Sequence, residues 1–149
     1  MNLSQKCQYA VRAVLELSKR HGRGPVSAAE IAASQAVPQR FLEIILNELK
    51  PTGILGSRRG AQGGFYLTVP PADLTVGQVI RLVDGPLDPV RCADDQSVDC
   101  CPLIGHCALT ELWKQAREAV EGVYDNVTFL HLIEKERDLE QRAALHYQI

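Results

Sequence analysis

The segment Ser57-Arg58-Arg59-Gly60-Ala61-Gln62-Gly63-Gly64-Phe65-Tyr66-Leu67 constrains the fold more than any other stretch of this chain. Two arginines stand at the mouth of a glycine-rich turn, with Ile54-Leu55 before it and Phe65-Tyr66-Leu67 after it. Short apolar runs on both sides of such a turn read as a two-stranded hairpin whose tip can approach another backbone closely. Two short helical segments precede it. A helix pair followed by a basic hairpin is the layout of a winged helix-turn-helix, which binds DNA. Taken alone, the hairpin fits an ordinary surface turn with two solvated arginines equally well, and the rest of the chain has to decide.

Helical periodicity frames the hairpin. Cys7, Ala10, Val11, Val14 and Leu15 recur at the spacing of one buried helical face, in a helix capped at about Ser4 and stopped at about His21 by Gly22. Ser27-Ala28-Ala29-Glu30 is a capping box that opens a second helix, fading near Ser34. After the turn Gln35-Ala36-Val37, Pro38 occupies the first position of a third helix, where its missing N–H costs nothing. Phe41, Leu42, Ile45, Leu46 and Leu49 form the buried face of that helix; Gln39, Arg40, Glu43 and Asn47 point away, and Gly53 ends it.

Beyond the hairpin, Pro70-Pro71 breaks the chain and Thr75 caps a short helix bearing Val76, Val79, Ile80, Leu82 and Val83. Gly85-Pro86 opens a long irregular segment, 85–104, that holds cysteines. Irregular loops of this length are uncommon inside compact domains and usually functional or disordered. A long helix is expected from about Ile104, striped with Leu109, Leu112, Trp113, Ala116, Val120 and Val123. Thr128 then caps a last helix carrying Phe129, Leu132, Ile133 and Leu139. The expected fold is mainly α with a small β wing: a winged helix-turn-helix domain over 1–84, a cysteine-bearing loop over 85–107, and a dimerisation helix with a C-terminal helix over 104–149. The long helix has little of its own chain to pack on, which favours the same helix of a second subunit as its partner. The competing arrangement folds it back on the first helix.

The formal net charge of −2 conceals a division. Residues 1–67 hold nine Lys/Arg against four Glu, a net of +5, and the remaining 82 residues hold seven Lys/Arg against fourteen Asp/Glu, a net of −7. Only the first part is suited to face a polyanion. With 149 residues, no apolar run near the ~20 residues that span a bilayer, and an amphipathic start in place of a signal peptide, a cytoplasmic protein with no membrane partner is expected. No Ser/His/Asp arrangement, phosphate-binding loop or paired-carboxylate motif marks an enzyme, and His21, His106, His131 and His146 are scattered.

Two chemistries follow. In a helix-turn-helix the second helix enters the major groove and its first residues meet base edges; here these are Gln39, Arg40 and Glu43. Arg grips guanine, Gln pairs with adenine, and Glu accepts from cytosine. Arg58 and Arg59, carried on a wing closed by Gly63 and Gly64, suit phosphates or a narrow minor groove, and Lys6 and Tyr9 add backbone contacts from the first helix. The second chemistry is that of Cys92, Cys100-Cys101 and Cys107. Five cysteines in an intracellular chain argue against a disulfide framework. Thiolates favour zinc or iron–sulfur clusters, and the absence of a close C-x2-C pair favours the larger inorganic centre over zinc. A redox thiol switch and inert cysteines remain open on composition alone. Cys7 lies in the apolar stripe of the first helix, where burial is the default.

Together these residues resemble the bacterial IscR/NsrR family of dimeric winged-helix regulators over nearly the whole chain. The resemblance rests on Leu3 to Ala13, on Phe41-Leu42-Glu43 with Leu46 and Leu49, and most specifically on Arg59 to Leu67. Val79 to Gly85, and Cys107-Ala108-Leu109 ahead of Trp113, add to it. It implies a homodimeric repressor on double-stranded promoter DNA carrying an inverted repeat. It further implies an iron–sulfur cluster, 2Fe–2S or 4Fe–4S, whose state alters DNA affinity, held by Cys92, Cys101 and Cys107. The chain departs from the family at four points: the spacing from Cys92 to the second cysteine is longer than in IscR, Cys100 is an extra thiol, Thr110 stands where IscR has a histidine ligand, and Gln8 stands where the nitric-oxide-sensing branch has an aspartate. The fourth ligand therefore stays open among His106, Cys100, Glu43 and Gln8. The alternative within the resemblance is a cluster-free repressor gated by cysteine oxidation or by a partner protein.

Overall fold

The first helix, α1 (Gln5–Lys19), begins where Ser4 accepts the Cys7 N–H on its Oγ at 3.0 Å. Its buried stripe of Cys7, Ala10, Ala13, Val14 and Leu17 is at most 1% exposed. In the computed structural model, which describes residues 2–90, 102–103 and 105–146, this stripe is the axis of the molecule. It packs against α2 (Ala28–Gln35), α3 (Gln39–Leu49), the second hairpin strand, α4 (Val76–Asp84) and α6 (Phe129–His146). Cys7, Ala10 and Ala13 are small enough to let several elements close in on one helix.

The hairpin pairs β1 (Leu55–Arg58) with β2 (Gly64–Leu67) in antiparallel register, Leu55 opposite Leu67 and Arg58 opposite Gly64. A single 3-10 turn, Lys50–Thr52, links α3 to it and stops at Gly53, whose φ of +84° is left-handed. Thr75 caps α4 in a capping box with Gln78, and the backbone around it meets the start of α6. Val76 N–H donates to Val127 O at 2.9 Å, and Phe129 N–H to Leu74 O at 3.0 Å. Phe129 is fully buried and anchors α6 on the core beside Ile133. The helix that folds back on α1 is thus α6, while α5 (Thr110–Asp125) packs on α4.

No residue of α5 is fully buried; Tyr124 packs half-buried on the core, and charge adds to the hold on α4. Arg81 of α4 grips Asp125 through two hydrogen bonds of 2.7 and 2.8 Å and reaches Glu121 at 3.1 Å. Gly77 is what lets Asp125 come so near, because a Cβ there would meet its Oδ1 at 1.9 Å. At the other end of α4, Asp84 accepts from Ser4 N and Oγ at 2.8 and 2.5 Å. Burial first, and then the Asp84 carboxylate, push the Cys7 thiol up to about 12, leaving it unreactive.

Two boundaries fall elsewhere than the sequence pattern places them. Pro38 is the N-cap of α3 rather than its first residue, since its carbonyl accepts the first helical bond, from Leu42 N–H at 3.0 Å. α5 begins at Thr110, not near Ile104; turns around Gly105, at φ +85°, occupy the intervening chain. Cys92, Cys100 and Cys101 lie outside the described residues.

The sequence pattern did not mark Glu16, a carboxylate only 4% exposed on α1. It takes Lys19 at 3.0 Å, Arg20 at 2.9 Å and Gln35 Nε2 at 3.1 Å, and Lys19 continues to Glu136 of α6 at 3.0 Å. Burial alone pushes the Glu16 carboxyl up, but the hydrogen bonds from Lys19 and Gln35 and the charges of Lys19 and Arg20 outweigh it and hold it below its ordinary value. A depressed carboxyl contributes stability that is complete above the unfolded value of about 4.3 and is lost as pH falls through the lower folded value. Glu16→Gln is expected to cost about 1–2 kcal/mol at neutral pH, with the deficit shrinking below about pH 4, as urea unfolding across that range will read.

Candidate nucleic-acid interface

The recognition geometry is set by how α2 ends and α3 begins. Ser27 and Glu30 exchange the two bonds of a capping box at 3.0 and 3.2 Å and fix the start of α2. At its end Ala36 turns left-handed, at φ +50°, and Val37 is tucked into the core. Arg12 of α1 donates to the Gln35 carbonyl, satisfying one of the orphan acceptors at the end of α2. The turn is therefore held from both sides, and α3 leaves it at a fixed angle.

With Leu42, Ile45, Leu46 and Leu49 buried, α3 presents Gln39, Arg40, Ile44 and Asn47 to solvent, with Glu43 half-buried among them. Gln39 Nε2 donates to Glu43 Oε1 at 3.0 Å, so the amide and the carboxylate are already oriented relative to one another. Arg40 is exposed and, among the described residues, makes no ion pair. Lys6 and Tyr9, both half-buried, meet the flanks of the same helix. Lys6 pairs with Glu48, and the Tyr9 ring sits edge-on to Phe41 at 5.8 Å and 78° while its hydroxyl accepts from Gln5. Both brace α3 against α1, and the Lys6 charge is partly spent on Glu48.

The wing carries Arg58 and Arg59 exposed to solvent, again with no ion pair among the described residues. Its two glycines act through the backbone. A Cβ on Gly63 would meet Arg58 O at 2.2 Å. One on Gly64, whose φ is +153°, would meet Val26 O at 2.2 Å. Gly64 is where the hairpin lies against the chain entering α2: Val26 and Phe65 exchange two backbone bonds of 2.8 Å each. Val26 thus forms a single antiparallel bridge that ties the wing to the helix pair. Sequence reasoning missed it, although a β-branched residue directly before the Ser27 cap was the available signal. It also missed Ile44, 54% exposed on the outward face of α3, and Arg12.

Of the cysteines assigned to metal, the described residues include Cys107, a half-buried free thiol three residues before α5. Among the described residues no group of three or more His, Cys, Asp or Glu side chains is placed to hold a metal ion, and no helix is long and apolar enough to cross a membrane.

A braced helix pair, an outward face of Gln, Arg and Asn, and a tethered basic wing define a winged helix-turn-helix DNA-binding protein. Comparison with known proteins narrows the class. The Rrf2 family, described as "Iron-dependent Transcriptional regulator", matches residues 3–135. The transcriptional regulator CymR of Bacillus subtilis is 35% identical over 147 residues, covering 99% of both chains. Its structure, titled as that of the global cysteine regulator, superposes with a TM-score of 0.76 at 31% identity over 91% of this chain and 98% of that one. IscR of T. potens superposes with a TM-score of 0.74 at 29% identity, over 91% and 88% of the two chains. The oxidized form of Staphylococcus aureus CymR gives 0.68 at 32% identity, over 89% and 95%. The chain belongs to the Rrf2 family: it is a DNA-binding transcriptional regulator, and its relatives are regulators, not enzymes.

The glycine geometry yields a sharp expectation. Gly64→Ala, blocked by backbone on both counts, should cost about 2 kcal/mol or more and detach the wing. Gly60→Ala, with φ +112° but nothing within 4 Å, should cost about 1 kcal/mol. Urea denaturation together with binding to a duplex DNA pool will separate the two.

Proposed function

We propose that this regulator is a homodimeric repressor that docks on inverted-repeat promoter DNA and is modulated by an iron–sulfur cluster on Cys92, Cys101 and Cys107. In this reading Gln39, Arg40 and Glu43 face base edges. Arg58 and Arg59 reach the DNA backbone from a wing closed by Gly63 and Gly64, and Lys6 and Tyr9 approach it beside α3. The observation that carries the docking is that Arg40, Arg58 and Arg59 stand exposed and unneutralised among the described residues on one module.

The dimer is supported by the surface of α5, a sixteen-residue helix with no buried residue, along which Leu112 and Val123 are 52% and 64% exposed. Beside it runs an apolar groove of about 450 Å³ lined by Leu3, Val11, Val76, Ile80, Val123 and Leu132. A helix so striped and so bare is stable once a second copy covers it. Leu112→Glu should convert the dimer to monomers in light scattering without loss of helix signal.

The cluster is supported by the donor chemistry and by the iron-dependent description of the family. Three thiolates, one of them the half-buried Cys107, suit iron. Bound there, such a centre supplies a charge that changes with redox state. The chain's own residues then relay it. Leu87 is buried, Asp88 accepts from Arg117 of α5 at 3.4 Å, and Cys107 leads straight into α5. Both ends of the cysteine segment thus bear on one helix, which Arg81 holds to α4. A shift of α5 in a dimer alters the separation of two α3 helices that must meet half-sites ~34 Å apart.

A second reading, a cluster-free repressor gated by thiol oxidation or by a partner protein, is favoured by the likeness to a named cysteine regulator and to a relative solved in an oxidized form. Anaerobic purification with an absorption spectrum and iron and sulfide analysis tests the choice. An iron–sulfur chromophore lost in Cys101→Ser and Cys107→Ser is the expected result. An iron-free, colourless wild type that still binds its operator would establish the second reading.

A further inference from the structure

The outward face of α3 carries an apolar residue that base-edge hydrogen bonding does not use. Leu42, Ile45, Leu46 and Leu49 define the buried side, all at most 1% exposed, and the direction opposite to them falls between Arg40, Ile44 and Asn47. Ile44 is 54% exposed there, one turn after the unpaired Arg40 and one turn before Glu48. Exposing an isoleucine in the middle of a face otherwise made of Gln, Arg, Glu and Asn gains nothing for folding. The surroundings decide what covers it. Arg40 beside it and Arg58 and Arg59 on the wing are exposed cations without ion-pair partners among the described residues, so the patch is built to meet a polyanion and not an apolar protein surface. In the major groove the apolar group on offer is the C5-methyl of thymine.

We propose that Ile44 is a specificity-determining residue that packs on a thymine methyl in each half-site of the operator. The proposal rests on α3 being the base-reading helix of the DNA-binding module. Arg40, by this geometry, takes a neighbouring base pair through its fork, and Ile44 selects thymine where a hydrogen-bonding residue would select by donors and acceptors. The interaction needs no charge, so it alters sequence preference and leaves the salt dependence of binding unchanged.

The test uses the full-length regulator and a duplex selected by it from a randomised pool. Each thymine of the selected half-site is replaced in turn by deoxyuracil, which keeps every hydrogen-bonding group and removes only the methyl. Binding is measured with wild type, Ile44→Ala and Ile44→Val. One thymine per half-site is expected to show a loss of about fourfold with wild type, the value of one buried methyl. Ile44→Ala should bind thymine and uracil duplexes alike, and Ile44→Val should retain part of the discrimination. Because Ile44 is solvent-exposed, both variants are expected to fold, and circular dichroism will verify it. Wild type indifferent to every uracil replacement, or Ile44→Ala still sensitive at the same position, overturns the proposal while leaving α3 as the reading helix. Failure of wild type to select any sequence overturns that underlying reading as well. Undiminished selection with α3 masked by a captured protein would assign Ile44 to a protein interface and also overturn the proposal.

Discussion

The helix pair, the hairpin, α4 and α6 are all positioned by the buried stripe of α1. Its small side chains, Cys7, Ala10 and Ala13, let α2, α3, α4, α6 and the hairpin all reach one helix. Polar groups on the margins of the stripe then fix each neighbour's orientation. Arg12 closes the end of α2, Lys6 pairs with Glu48 on α3, Ser4 clasps Asp84 of α4, and Lys19 reaches Glu136 of α6. Apolar burial supplies the attraction but has no preferred direction. The rim of directed bonds is what converts a collapsed bundle into one with a defined angle between the helix pair and everything else.

The wing solves a different problem. A two-stranded hairpin is marginal on its own in water, and this one projects two cations beyond the core. Its stability comes from Leu55 and Leu67, which are buried against the helices, and from the antiparallel bridge of Val26 with Phe65. Gly63 and Gly64 are needed because backbone oxygens occupy the places their side chains would fill. Their part in the fold is therefore to let the hairpin that carries Arg58 and Arg59 close on itself and on Val26. Tyr66, whose ring lies across Gly56 on the neighbouring strand, stiffens the same ribbon.

Much of this was legible in the chain because it depends on short-range chemistry. The Ser27 capping box, the Thr75 cap and the buried face of α3 are local patterns found where periodicity and capping rules place them, though Phe41 is half-buried and Gly53 ends a 3-10 turn after α3 rather than α3 itself. The α5 start was misplaced because Ile104 to Leu109 continues the apolar spacing while Gly105 in a left-handed turn prevents helix there. Long-range features left weaker marks. Lys19 and Arg20 stand one turn from Glu16, but nothing local says that Gln35 joins them or that a glycine 48 positions before Asp125 makes room for it. Ile44 was legible and overlooked, since a search for polar readers passes over an apolar residue on a polar face.

The contrast between the two ends of α4 bears on how a signal could move through the fold. At its C-terminal end Asp84 accepts twice from Ser4, directly above the buried Cys7, so α4 and α1 behave as one body. On its outer side α4 meets α5 through Arg81, Asp125 and Glu121, charged groups that are at least 31% exposed and so exchange readily with water. Apolar packing resists sliding because every small displacement opens voids, whereas an exposed ion pair can lengthen, hydrate and re-form at modest cost. Of these two contacts of α4, the exposed ion pairs to α5 are therefore the more readily rearranged. The described chain on either side of the cysteine segment holds the buried Leu87, Asp88 against Arg117 of α5, and Cys107 three residues before α5. In the proposed mechanism, chemistry at the cysteines would act on α5, while α1 and α3 stay packed together as one body.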